Sequence, residues 1–134
     1  MIWRVGVFWS LGLTWALVVG HFVARSVVNG IRARIVKFRA DAGDTSTPLW
    51  LTGIGIPPGL TGVIERLFFT VAVAFELSGV ATAMMAWIAI KLAADWNRPS
   101  TTPDTAGTLS AALGGLVSML FAVTGGLICR LWRP

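Results

Sequence analysis

The chain has 134 residues, 55% of them hydrophobic and 13% charged, with a mean hydropathy of +0.76, a balance that argues against an ordinary soluble domain of this size. The net charge of +5 would suit nucleic acid in a soluble protein, so the positions of the eleven basic residues decide its meaning.

The first uncharged run, Val5 to Ala24, holds 20 residues, enough to cross ~30 Å of hydrocarbon as a helix. Arg4 before it and the small residues closing Val18 to Gly20 also fit a cleaved signal peptide. Cleavage would put the basic segment that follows on the translocated side, and Trp3, Trp9 and Trp15 are heavy residues for a disposable signal. The run therefore reads as a permanent span. Gly12, Ala16 and Gly20 form a small-residue stripe on it, of the kind that lets another helix approach backbone to backbone. His21 falls near its cytoplasmic end, at the depth where Glu65 begins the second span. A pH-sensitive His21–Glu65 pair is geometrically open there, and a lone tolerated histidine is the plainer alternative.

Arg25, Arg32, Arg34, Lys37 and Arg39 follow at once. Val27, Val28, Ile31, Ile35 and Phe38 take one side of a helix and most of these cations the other. This is the pattern of a basic amphipathic segment on anionic lipid headgroups, or of a plain positive-inside anchor. Gly30 weakens the helix, which can equally start after it. Thr45 to Ile64 is another uncharged stretch of 20 residues, but Pro48, Pro57 and Pro58 with Gly53, Gly55, Gly59 and Gly62 would leave backbone groups unpaired in lipid. Leu49 to Ile56 reads instead as an interfacial or re-entrant piece leading into a helix that starts near Pro58.

That helix is expected to run unbroken to Trp96, since proline returns only at Pro99; Gly79 is the best candidate for a bend. Within its apolar part, Leu67 to Ile90, Glu76 is the one charged residue. A mid-span carboxylate costs at least a few kcal/mol unless protonated, paired or wet, so Glu76 should face protein or water, with Thr14 and Ser118 at similar depth in the other spans. It then either glues the bundle as a neutral acid or serves as a proton or cation site. Thr102, Pro103 and Asp104 mark the start of the third span. On it Ser110, Gly114, Ser118, Ala122 and Gly126 recur every fourth position. Because 12 of the 20 residues from Gly107 to Gly126 are Gly, Ala, Ser or Thr, close packing is the firm inference and this face only a candidate.

One histidine, one cysteine (Cys129) and no tyrosine leave no metal cluster and no nucleophile with a matched base. The glycines at 53, 55 and 59 lack the lysine and the preceding strand of a phosphate loop. No enzyme activity and no cofactor are expected. Three spans put eight basic residues (the five above with Arg66, Arg130 and Arg133) on one side and three (Arg4, Lys91 and Arg98) on the other. The positive-inside bias then sets the N-terminus outside and the C-terminus in the cytoplasm, in a bacterium across the inner membrane. Membrane topology explains the basic charge without nucleic acid.

The expected fold is one all-α integral membrane domain over residues 1–134, with three transmembrane helices at about 4–24, 64–91 and 104–129 and a cytoplasmic basic and interfacial segment, 25–62, between the first two. Its preferred function is non-enzymatic: an accessory or structural subunit of a larger membrane complex, or a homo-oligomer. A homo-oligomeric channel or proton-coupled transporter with Glu76 on the path is the alternative, since three spans need symmetric copies to enclose a pore. The layout of three spans, external N-terminus and basic end at Arg130 and Arg133 also resembles one arrangement of the phage holins, which implies a pore former. The long basic segment between the first two spans departs from that arrangement.

Overall fold

The structure, a computed structural model, describes residues 2–43, 58–96 and 105–131. Among these residues it is all-helical, with no strand. Two helices, Trp3–Asp41 and Thr108–Arg130, are long and apolar enough to cross a membrane, and Val80–Ala94 is a shorter apolar helix. The interfacial reading of 49–56 and the helix start at 102–104 lie outside the described residues.

Helix α1 (Ile2–Thr14), a π-helical turn (Trp15–Val19) and α2 (Gly20–Asp41) form one rod, with Thr14, Val19 and Gly20 all at right-handed helical angles. At 1.5 Å per residue the rod is ~60 Å long. The basic segment thus continues the first apolar helix along its axis, with Gly30 inside it, where a separate surface helix was expected. In the π turn the N–H of Gly20 donates to the carbonyl of Trp15. Residues four apart on an α-helix drift by about 40° per step; the wider turn takes back part of that drift and keeps Gly12, Ala16 and Gly20 toward one neighbour.

The expected unbroken helix from Pro58 to Trp96 is corrected. It is a hairpin of α3 (Pro58–Ala74) and α4 (Val80–Trp96), broken by a turn at Phe75–Gly79. The N–H of Leu77 reaches back to the carbonyl of Ala72 at 3.1 Å and that of Glu76 to Val73 at 3.1 Å, the double closure of a Schellman cap. Such a cap needs a left-handed residue at the position Glu76 occupies, and Glu76 has φ 56, with Gly79 at φ 81 a few residues on. Glutamate rarely takes this conformation, so the sequence hides the stop.

Helix α5 (Thr105–Arg130) runs antiparallel to the rod and parallel to α3. A Cβ on Gly125 would stand 2.7 Å from the carbonyl oxygen of Gly12, and one on Gly126 2.6 Å from Val73. These approaches are at backbone distance. Further along, Gly20 meets Phe121 and Gly114 meets Val28. Phe69, Met84, Met119 and Ala122 form the apolar core where α3, α4 and α5 converge, flanked by Val73, Val80, Ile88 and Val123. The start of α1, the 75–79 turn and the end of α5 gather at one end of the bundle, where Trp9 and Phe75 stand 5.4 Å apart and Arg130 pairs with Glu76.

Two pairs of substitutions test this architecture by the sign of their effects on unfolding in detergent. Glu76→Gly should be more stable than Glu76→Ala by about 1 kcal/mol, and Gly79→Ala should destabilise by about 1–2 kcal/mol, because glycine alone takes positive φ freely; in an unbroken helix both orders reverse. Gly125→Ala should cost about 1–3 kcal/mol by forcing the rod off α5. Gly115→Ala, whose Cβ meets nothing within 4 Å, should instead gain up to about 1 kcal/mol.

Candidate functional site

Glu65 and Arg66 are consecutive on α3, so their side chains leave the helix about 100° apart and serve different neighbours. Glu65 turns to α4, where Lys91 Nζ donates to its Oε1 at 2.6 Å. Arg66 turns to α5, where its Nη1 donates to Ser118 Oγ at 2.9 Å. Its stem passes Gly20, where a Cβ would stand 3.1 Å from Arg66 Cδ. Its head lies back along α3 over Gly62, with Nη1 3.5 Å and Nη2 3.8 Å from the Cβ position there. Small residues on three helices thus make the room that the guanidinium fills. All four helical rods contribute to this polar layer: Gly20 and His21, Glu65 and Arg66, Lys91, and Ser118.

Arg66 is only 3% exposed and Glu65 7%. Charges this deep are tolerated when paired. Glu65 meets that condition through Lys91, whereas Arg66 has a neutral hydroxyl and its Nε has no partner. Counted as ionised groups among the described residues, the layer holds two cations and one anion. One turn further along α3, Thr70 is fully buried with its Oγ1 also unpartnered.

The remaining candidates are distributed differently from the expectation. Glu76 is not a mid-helix carboxylate: it stands in the turn, its side chain 46% exposed, with Oε1 2.7 Å from Arg130 Nη2. Thr14 is exposed near the same end, and Ser118 lies twelve residues along α5 from Arg130, ~18 Å away, so the three do not share a depth. The His21–Glu65 pair does not form. Glu65 takes Lys91, while His21 lies edge-on to Phe22 with its Cε1 3.4 Å from the Cβ position of Gly59.

Of the small-residue stripes, Gly12, Ala16, Gly20, Ser110, Ser118, Ala122 and Gly126 are buried and Gly114 packs on Val28; Gly125, outside both stripes, makes the closest approach to the rod. On α2, Arg25, Arg34 and Lys37 are exposed and Arg32 and Arg39 half-buried. Sequence reasoning missed the ion pairs Glu65–Lys91 and Glu76–Arg130, the contact Arg66–Ser118 and the bond from Trp15 Nε1 to Thr124 Oγ1 at 2.9 Å. The available signal for Arg66 was a basic residue two turns inside the expected helix, at the edge of its apolar run, with hydroxyl residues on the facing helix. Among the described residues no cluster of His, Cys, Asp and Glu could hold a metal ion.

No protein family, curated protein or solved structure matches the chain, and its chemistry is read from the geometry alone. That geometry offers a buried cation and hydroxyl donors.

The ion pair has a measurable signature. Lys91→Met should destabilise by about 1–3 kcal/mol by stranding the Glu65 carboxylate. Adding Glu65→Leu should recover most of the loss. Independent, additive costs in the double variant would show that the two groups are uncoupled.

Proposed function

We propose that the chain is a non-enzymatic multi-pass protein of the bacterial inner membrane, acting as an accessory or structural subunit of a membrane complex or as a homo-oligomer. One observation carries this reading, an inverted distribution of side-chain size. Between the rod, α3 and α5 the interior is built largely from Ala16, Ala72, Ser110, Ser118, Ala122 and glycine contacts, with Phe69, Met84 and Met119 the large apolar residues buried where α4 joins. Phe22, Phe68, Phe75, Met85, Leu109 and Leu120 point outward and are exposed. In water such a surface promotes aggregation. Against lipid tails it costs nothing, and small residues inside are what membrane helices use to pack.

The hairpin changes the span count that this reading adopts. Helices α3 and α4 have 17 residues each, ~26 Å of helix, at the short limit for a crossing. With both crossing, the chain spans four times. Arg25, Arg32, Arg34, Lys37, Arg39, Arg66, Lys91 and Arg98 then fall on one side and Arg4, Arg130 and Arg133 on the other, again eight to three. The N-terminus stays outside by the positive-inside bias, and the end of α5 joins it there. This orientation departs from the holin layout, and a pore along Glu76 would have to form between copies because Glu76 stands in the exterior turn.

Cysteines introduced at Lys37, Leu77 and Ala94, probed with a membrane-impermeant maleimide on intact cells, test the topology. Leu77 should label from outside, Lys37 and Ala94 only after permeabilisation. External labelling at Ala94 with Leu77 protected would restore three spans. Purification in mild detergent should yield a stoichiometric partner or a defined homo-oligomer, whereas ion flux by the purified chain in liposomes would overturn the accessory reading in favour of a channel.

A further inference from the structure

We propose that the leucine face of α5 is a docking surface for a second copy of this chain, so that two parallel α5 helices pair along it; the inference rests on the membrane reading above and selects the homo-oligomer from it. Residues 105–131 hold six leucines, Leu109, Leu113, Leu116, Leu120, Leu127 and Leu131. At the pitch of an α-helix all six fall within an arc of about 60°. They are from 45% to 65% exposed and lie opposite Ser118, Ala122, Gly125 and Gly126, the buried side of α5. The steps of four, three and four residues from Leu109 to Leu120 are those of the a and d positions of a coiled coil, whose knobs fit a facing helix with the same repeat. Trp15 forms the rim of this face: its Nε1 donates to Thr124 Oγ1 at 2.9 Å, beside the arc, and its ring stands 5.4 Å from Phe121.

The height of the face decides what covers it. Gly20 meets Phe121 and Gly114 meets Val28, so the antiparallel α5 carries Leu113 and Leu109 past Arg25 to the level of residues 29–33. Counted from the Gly114–Val28 contact, Leu109 stands ~12 Å beyond Arg25. In the membrane reading this part of α2, with Arg25 and Arg34 exposed on it, is on the cytoplasmic side of the bilayer, where lipid tails do not reach. Leucine gains little by exchanging lipid for protein, but Leu109 and Leu113 gain the full benefit of leaving water. All copies insert in one orientation. A second copy related by a two-fold axis along the membrane normal therefore presents each leucine to its own counterpart at the same height. The exposed parts of the six leucines amount to about three whole residues, on the order of 500 Å² per copy, and with the Trp15 rim they approach the ~800 Å² that a stable interface takes from each partner.

The test uses the full chain in vesicles of phosphatidylcholine with phosphatidylglycerol. Association is read by energy transfer between labelled copies as lipid dilutes the protein, and by disulfide cross-linking of single cysteines on a Cys129→Ala background. Leu113→Cys and Leu120→Cys should each cross-link to their own counterpart, whereas Met85→Cys, as exposed on α4, should not. Leu109→Ala with Leu113→Ala should weaken association by about tenfold, and Leu120→Ala with Leu127→Ala by no more than about threefold, because lipid replaces the lost contacts only in the second pair. Leu113→Glu should weaken it by more than about tenfold, and mixing that variant with Leu113→Lys should restore a heterodimer to within about threefold of the wild type, which also shows that each single variant is folded. Monomers at every dilution in a chain whose labelling confirms insertion, or cross-linking through Met85→Cys in place of Leu113→Cys, would overturn the proposal. So would a cross-link from Leu113→Cys to a cysteine at Leu51 within one copy, or to a foreign chain in cells. A chain that pairs through these leucines while staying soluble in buffer without detergent would keep the pair and overturn the membrane reading.

Discussion

The bundle depends on one pair of adjacent glycines. Gly125 and Gly126 of α5 point about 100° apart, so the rod closes on one and α3 on the other, each at backbone distance. Any side chain at either position would hold a neighbouring helix away. With three helices this close, the space between them is filled largely by alanine, serine, threonine and glycine, and apart from Phe69, Met84 and Met119 most bulky apolar residues are driven outward. The outward face is then strongly apolar, and on the proposed reading the membrane is the solvent for this packing.

The same closeness governs the charges. A guanidinium enters the layer because Gly20, Gly62 and Ser118 surrender volume around it, and the i to i+1 rotation of α3 sends Glu65 elsewhere. Two opposite charges next to each other in sequence therefore do not form a direct ion pair within the bundle: the hydrogen bond of Glu65 goes to Lys91 and that of Arg66 to a hydroxyl, while the two act on each other only through the Coulomb field. Low polarity around the layer makes that imbalance expensive, which is why it is the feature with chemical consequence.

Much of the fold was legible in the sequence where period and composition agree. The stripe Gly12, Ala16, Gly20 and most of the α5 row lie at helix contacts, because small-residue spacing reports directly on backbone approach. The hairpin was not legible. Leu67 to Ile90 carries no proline, and Ser78 and Gly79 after Glu76 read as a bend in a continuing helix, because the stop itself is a left-handed glutamate, a conformation that glutamate seldom takes. The polar layer was hidden for a different reason: even with the helix start near Pro58 expected, Arg66 at the edge of an apolar run reads as a flanking charge, and only the packed helices show that Gly20, Gly62 and Ser118 leave room for it.

Once the second apolar run folds back on itself, the electrostatic question changes character. In a straight helix Glu76 sits in hydrocarbon and calls for a proton, a cation or a partner. In the hairpin it stands in the turn, half exposed and paired with Arg130, and that demand disappears. The demand that replaces it comes from Arg66, which is buried with a hydroxyl as its hydrogen-bond partner and cannot discharge by losing a proton. The basic-residue count is the same, eight to three, for both topologies, so charge bias alone does not choose between them. The choice rests on φ at two residues of one turn, and with it goes the sign of the deepest charge the bundle must accommodate: negative if Glu76 is mid-helix, positive if Arg66 is the buried group.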